Sequence, residues 1–348
     1  MKFQKKIIIL LIVYLSMLWV MSGVAFSASY ELTFAHRLTP HIKESAVFFK
    51  KYVETATAGD VKIILLETNA LGGAREVIDQ LRLGEIDITQ TNTGGLSGVL
   101  PNSQMESWPF LVADRSVAWR LMQDAQYFEF VQNSWLKDSN NKIRFLGAGE
   151  NSVRHLYSTR GPIRIPADLT ELKIKIRVQT IPIHVALFKG LGVFNVLTLP
   201  SGDRYMGLQT GMIDACEGGL ASAWAAGLLE VTDYVSLTGH LYSYIYYVMN
   251  QDAYESLPEK YQEIINTAMI LAIDIQNVNG VKADDEALDK MRDAGKIIYT
   301  PTTEELQKWQ EKAVPIAQKF IYEEVDEEYI EETLAAIERV KLSLETRR

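Results

Sequence analysis

The residues from Ile174 to Val178 alternate apolar and cationic side chains, Ile-Lys-Ile-Arg-Val. That period is the signature of a half-buried strand, and it places Lys175 and Arg177 on one face. A guanidinium presents a planar fork of donors that matches a carboxylate bidentately, and it stays charged at any physiological pH. An ammonium is a compact point charge with freer geometry. Such cations can bind an anionic ligand or close an ion pair inside the fold. The pattern alone leaves both roles open.

Other chemistries find little support. No Walker loop, H-E-x-x-H or G-x-S-x-G occurs in the chain. Gly147-Ala148-Gly149 is half a dinucleotide fingerprint, but Ser152 stands where its third glycine belongs. The five histidines are His36, His41, His155, His184 and His240, and none lies four residues from another. No metal spacing results, and no nucleophile comes with an evident base. Cys216 is the single cysteine, so an internal disulfide is excluded. No cofactor and no metal are therefore expected, and the chain does not read as an enzyme.

The first 27 residues have the layout of a secretory signal peptide. Lys2, Lys5 and Lys6 precede the apolar run Ile7 to Val20, and Ala25-Phe26-Ser27 ends it with small residues at alternate positions. An uncleaved anchor is the alternative, since Ile7 to Phe26 has the length to span a bilayer. The chain's formal charge is −9, and loss of the three lysines makes it −12. With no cluster of Lys and Arg, nucleic acid is not an expected partner.

The remaining chain is long enough for two lobes with cores of their own. Tyr30 to Ala35, Val61 to Leu66 and Ile86 to Thr89 read as strands, with helices over Lys43 to Ala58 and from Leu71 to Leu83. This is a βαβαβ order and predicts a largely parallel sheet. Ile143 to Gly147 is a further strand, after which the chain crosses to a second lobe. There Ile174 to Val178, Phe194 to Leu199 and Ile213 to Ala215 are the strand candidates. Tyr244 to Met249 returns as a buried strand of the first lobe. A helix of ~35 residues from Leu257-Pro258 towards Arg292 would span ~50 Å, enough to bridge both lobes.

The order of short motifs resembles the solute-binding proteins of TRAP-type (tripartite ATP-independent periplasmic) transporters, the DctP family. The matching residues include Phe34-Ala35, Leu71-Gly72, Gly84…Asp87 and Trp108-Pro109-Phe110-Leu111 with Asp114. Further on come Pro162…Pro166-Ala167-Asp168-Leu169, the Arg177 strand, Tyr205…Leu208-Gln209-Thr210-Gly211 with Asp214, Leu237-Thr238…His240, and Leu257-Pro258. The resemblance implies an α/β fold, a two-lobe clamp of the second periplasmic-binding type with a long helix bridging both lobes. Lobe I is expected over 28–151 plus 243–284, and lobe II over 152–242 plus 285–348. It also implies a periplasmic location, a small-molecule carboxylate as cargo, and one small and one large integral membrane subunit as partners. A clamp of this kind presenting bound solute to a membrane signalling receptor is the alternative use.

In that family the arginine at the Arg177 position grips the cargo carboxylate. The segment here is longer than usual, so counting from Asp168 selects Lys175 while counting back from Gly192 selects Arg177, which the following Val178-Gln179 favour. Arg154 matches a second cleft arginine, with an ordinary ion pair as its other reading. Arg37 and Asn92 match first-lobe contacts, with loop capping as theirs. The family commonly has Glu-Asn after the Asp214 position, and this chain has Glu217-Gly218-Gly219. The resemblance thus makes Gly218 a place with more room and without the asparagine's polar group, tilting the cargo from a simple dicarboxylate towards a larger sugar acid. Trp224 could line that space or pack in the core.

Overall fold

The computed structural model describes residues 29–112 and 114–346. The expected signal peptide, 1–27, lies outside the described residues. One sheet of nine strands runs through the molecule in the order β2-β1-β3-β8-β4-β7-β5-β6, with β9 beside β8. The strands are β1 (Tyr30–His36), β2 (Val61–Glu67), β3 (Ile88–Thr91), β4 (Ile143–Ser158), β5 (Lys175–Val178), β6 (Asn195–Thr198), β7 (Ala215–Gly218), β8 (Tyr234–Asn250) and β9 (Ile297–Tyr299). The longer helices are α1 (Pro40–Ala56), α2 (Ala74–Leu83), α3 (Arg115–Gln123), α4 (Ala125–Asp138), α5 (Pro182–Gly190), α6 (Glu259–Asp293), α7 (Thr303–Glu324) and α8 (Glu327–Glu345).

β1, β2 and β3 pair in parallel in the first lobe, and β5, β6 and β7 in the second. The βαβαβ order read from the sequence is present. Gly84 closes α2 with a left-handed φ of 78°, the conformation that glycine supplies at helix ends.

β4 and β8 join the two sets and pair antiparallel along most of their length. Here the sequence reading needs correction. It ends one strand at Gly147 and begins the other at Tyr244, whereas the strands have 16 and 17 residues. Glycines at 147 and 149 interrupt the strand pattern there. Three register shifts, at Phe145/Gly147, Glu150/Ser152 and Arg154/Leu156, absorb them without ending the pairing. Gly147 takes φ 139°, so the bend there is made by a residue that tolerates it.

Alternation along β8 feeds two cores in the first lobe. Tyr246 and Val248 pack with Leu81, Trp135 and Phe145 on one side. Tyr247 and Met249 pack with Phe34, Phe49 and Ile265 on the other. The second lobe is covered likewise, by Ile176, Val178 and Phe188 on one face and by Leu208, Cys216 and Leu229 on the opposite one. α6 places Ile265 and Met269 in the first lobe's core and Ala287 and Met291 in the second's, so it braces both.

The C-terminal helices differ from the expected assignment of 285–348 to lobe II. α7 carries Trp309 and Ala313 into the second lobe's core, then Ala317 and Ile321 into the first's. α8 packs on the first lobe through Ile330, Ala336, Ile337 and Val340. Their helical spacing is visible in the sequence, but spacing does not say which lobe receives the apolar face.

Candidate functional site

Ligands of open α/β sheets bind beyond the carboxyl ends of the parallel strands. In the second lobe that edge carries Arg177. It pairs in register with Cys216 of β7, so both side chains, and Gly218 two residues on, share one face of the sheet. Arg177 is 2 % exposed. Its Nε donates to the Leu199 carbonyl at 2.8 Å, and Nη2 donates to the same oxygen. Lost hydration and the neighbouring Arg204 charge lower it to about 10, so it remains protonated at neutral pH. Among the described residues no carboxylate pairs with it.

Lys175 is a correction. The strand does put both cations on one face, but Lys175 begins it, at the end away from the crevice. Its Nζ donates to the Gly211 carbonyl and stands 3.8 Å from Asp214 Oδ1. Its charge is answered within the fold.

Arg154 is also answered, and by a buried partner rather than at the surface. Its Nε donates to Glu217 Oε2 at 2.9 Å, and its Nη2 to the Glu217 carbonyl at 3.3 Å. The same carboxylate meets His184 Nδ1 at 2.9 Å and His240 Nε2 at 3.3 Å. Burial opposes the charge on Glu217, but Arg154 and His184 outweigh it and hold the carboxyl well below its usual range. Sequence reasoning missed Glu217, His184 and His240. The histidines stand 33 and 23 residues from the glutamate, on α5 and β8, and only the tertiary fold brings them to β7. The available signal was a glutamate inside a short apolar strand, which needs partners if it is buried.

In the first lobe, Arg37 follows β1. Its backbone N–H donates to Gln90 Oε1 at 3.0 Å, while its Nε is buried without a hydrogen-bond partner. Lost hydration and the Arg204 charge lower its pKa. Asn92 caps the short helix Thr93–Leu96, its Oδ1 accepting from Gly94 N at 3.1 Å. This is the capping role open to it from sequence. The loop nevertheless lies where the lobes meet, because a β-carbon on Gly94 would stand 3.4 Å from Ile181 Cγ1.

Gly218 does not leave the room expected of it. A β-carbon there would lie 2.9 Å from Arg204 Nη1. The space is taken by the guanidinium of Arg204, a residue that sequence reasoning did not single out. Trp224 packs with Tyr205 and Leu237 against the second lobe's core. Among the described residues no group of three or more His, Cys, Asp or Glu side chains is arranged to hold a metal ion. Arg177 and Arg204 are buried cations that no carboxylate of the described residues pairs with, an arrangement suited to holding an anion.

The model of the bacterial extracellular solute-binding protein family 7, DctP, matches residues 33–324. The 2,3-diketo-L-gulonate-binding periplasmic protein YiaO of Escherichia coli is 29 % identical over 252 residues, covering 72 % of this chain and 75 % of that protein. A TRAP periplasmic solute-binding protein of Chromohalobacter salexigens, solved with bound D-glucuronate, is 25 % identical with a TM-score of 0.79, covering 89 % of this chain and 99 % of that one. The sugar acid binding protein DctPAm of Advenella mimigardefordensis, solved with galactonate, shares the fold at a TM-score of 0.81 and 22 % identity, covering 89 % of this chain and 98 % of that one.

Proposed function

Because the chain belongs to the bacterial extracellular solute-binding protein family 7, we propose that it captures a small organic acid outside the inner membrane and delivers it to the integral subunits of a TRAP transporter. The cargo is a sugar acid or dicarboxylate, and its carboxylate docks on Arg177. The observation that carries this reading is the state of that side chain. Arg177 is charged, almost wholly buried and fixed by Leu199, with no carboxylate of the described residues against it. Burying a charge without a partner is costly, and a bidentate carboxylate removes the cost. Export through the signal peptide at 1–27 would bring the chain to the compartment where such cargo is met.

A thermal-shift screen of organic acids tests this reading. Cargo at 100 times its dissociation constant should add ~2.7 kcal/mol of stability. Calorimetry on Arg177→Gln should then show a loss of about 2–5 kcal/mol in binding. An acid that binds both forms equally would remove Arg177 from the site.

A further inference from the structure

Trp108-Pro109-Phe110-Leu111 makes a tight turn, closed by Leu111 N donating to the Trp108 carbonyl at 3.2 Å. Proline fixes a negative φ at its second position, and Phe110 at the third takes φ 60°. That combination is a type II turn, whose third position ordinarily belongs to glycine or asparagine. Among the described residues the other non-glycines with positive φ are Ala58, Asn140, Asn141 and Lys173. Each of those lies just past the end of a helix, where the conformation is common. Phe110 is the only aromatic of the group and ends no α-helix. A bulky residue stays in this region only where its surroundings hold it there.

What holds it lies in the other lobe. Trp108, Leu111 and Val112 pack with the first lobe's core. Phe110 alone of the turn packs against the second lobe's, the cluster that includes Ile176, Phe188 and Trp309. Its N–H donates to the His240 carbonyl at 3.1 Å. The His240 ring stands edge-on to Phe188 at 6.2 Å between centroids and is stacked on Trp309 at 6.4 Å. Its Nδ1 meets Thr238 Oγ1 at 2.8 Å and its Nε2 meets Glu217 Oε2 at 3.3 Å. Cys216, the neighbour of Glu217, pairs in register with Arg177. The turn thus reaches the binding strand through one histidine.

Parting the lobes must withdraw Phe110 from the second core and break its bond to His240. Withdrawal costs the apolar contact. It also frees the turn to relax, so the backbone strain is released. The two effects oppose each other, and the contact resists opening without forbidding it. We propose that Phe110 is a positioning residue that latches the closed clamp: it acts through His240 rather than on the cargo, and it sets how long cargo is held. The inference goes beyond the organic-acid reading above and rests on it for the ligand that reports release.

Stopped-flow binding separates capture from release. The probe is whichever of D-glucuronate, D-galactonate, 2,3-diketo-L-gulonate and succinate binds the wild type most tightly. Phe110→Ala removes the ring and keeps the strain, so it should speed release by about tenfold or more. Association should stay within about twofold, because cargo enters an open clamp from which Phe110 is already withdrawn. Phe110→Gly removes ring and strain together and should release more slowly than Phe110→Ala. Phe110→Leu refills the second core and should restore most of the dwell time. Phe110→Gly and Phe110→Leu carry the test should Phe110→Ala fail to fold by circular dichroism. A residue serving only the core would weaken the unliganded protein as much as the loaded one in urea melts, whereas a latch weakens the loaded form more. Unchanged release in the folded variants, a loss of affinity carried by slower association, or equal weakening of both forms would overturn the latch. If the acid still binds and depends on Arg177 in that case, the transport reading stands alone. If none of the four acids binds the wild type, both fall together.

Discussion

Glu217 and Glu106 are both buried carboxyls, and their surroundings drive them to opposite states. Glu217 faces Arg154 and two histidines and stays ionised. Glu106 has tyrosine hydroxyls rather than cations beside its carboxyl, accepting from Tyr127 at 2.8 Å and Tyr329 at 3.0 Å. Burial pushes it up from 4.5 to about 7. The folded state therefore holds a proton that the unfolded chain releases at lower pH. Its contribution is fully present below pH ~4.5 and is lost as pH rises through ~7, by an amount on the order of 3 kcal/mol. Glu106→Gln should flatten this slope, leaving the variant more stable than wild type at pH 8 relative to pH 5. Urea melts at the two values measure it, and an unchanged slope would mean that Glu106 is ionised in the fold. Neither state was legible in the sequence. Arg177 announced itself by strand period and motif. Arg204, in contrast, sits at an ordinary helix start, and its meaning depends on the absence of a side chain fourteen residues away.

Glycines set how closely α6 lies on β4. A β-carbon at Gly147 would come within 2.5 Å of Ile273 Cδ1, and one at Gly280 within 2.7 Å of Glu150 Cγ. The close approach lets α6 tie down the crossing point between the lobes. Glu150 N–H donates to Asn277 Oδ1, and Gln276 Nε2 donates to the Glu150 carbonyl, both at 2.7 Å. Arg115 of the first lobe reaches Asp284 at 2.6 Å, and Ala221 N of the second donates to the same carboxylate at 3.0 Å. Gly147→Ala should thus destabilise by about 2–3 kcal/mol, from backbone strain together with overpacking. Gly295 also has a positive φ, 70°, but meets nothing within 4 Å, so Gly295→Ala should cost distinctly less. Equal losses in thermal melts would show that packing of α6 on β4 is not what Gly147 serves. The helix itself was readable from its length, and so were the parallel strands. The far halves of β4 and β8 were not, because bulges and helix amides satisfy polar residues that otherwise signal a loop.

Two lobes with several crossings were legible in the order of elements, but the way the C-terminus ties them was not. α7 passes from one core to the other around Pro315, and α8 ends on the first lobe. Together with β4, β8 and α6 they tie the two lobes together. Arg177, Arg154 and Arg204 are only 2–5 % exposed, and the lobes touch where Ile183 N donates to Gln104 Oε1 at 3.3 Å and Phe110 N to the His240 carbonyl at 3.1 Å. No acid reaches those arginines from solvent unless the lobes part. An open state must therefore exist, and cargo that contacts both lobes must favour the closed one. The chain's formal charge is −9 while Arg177 and Arg204 are positive, so an anion gains most from these two groups when water is excluded. Small-angle scattering should show a larger radius of gyration for the protein alone than with a saturating organic acid that calorimetry shows to bind. Arg177→Gln, given the same concentration of acid, should stay at the larger value. Identical curves for the wild type with and without an acid shown by calorimetry to bind would rule out closure, and the cargo would then have to reach the crevice by a path that leaves the lobes where they are.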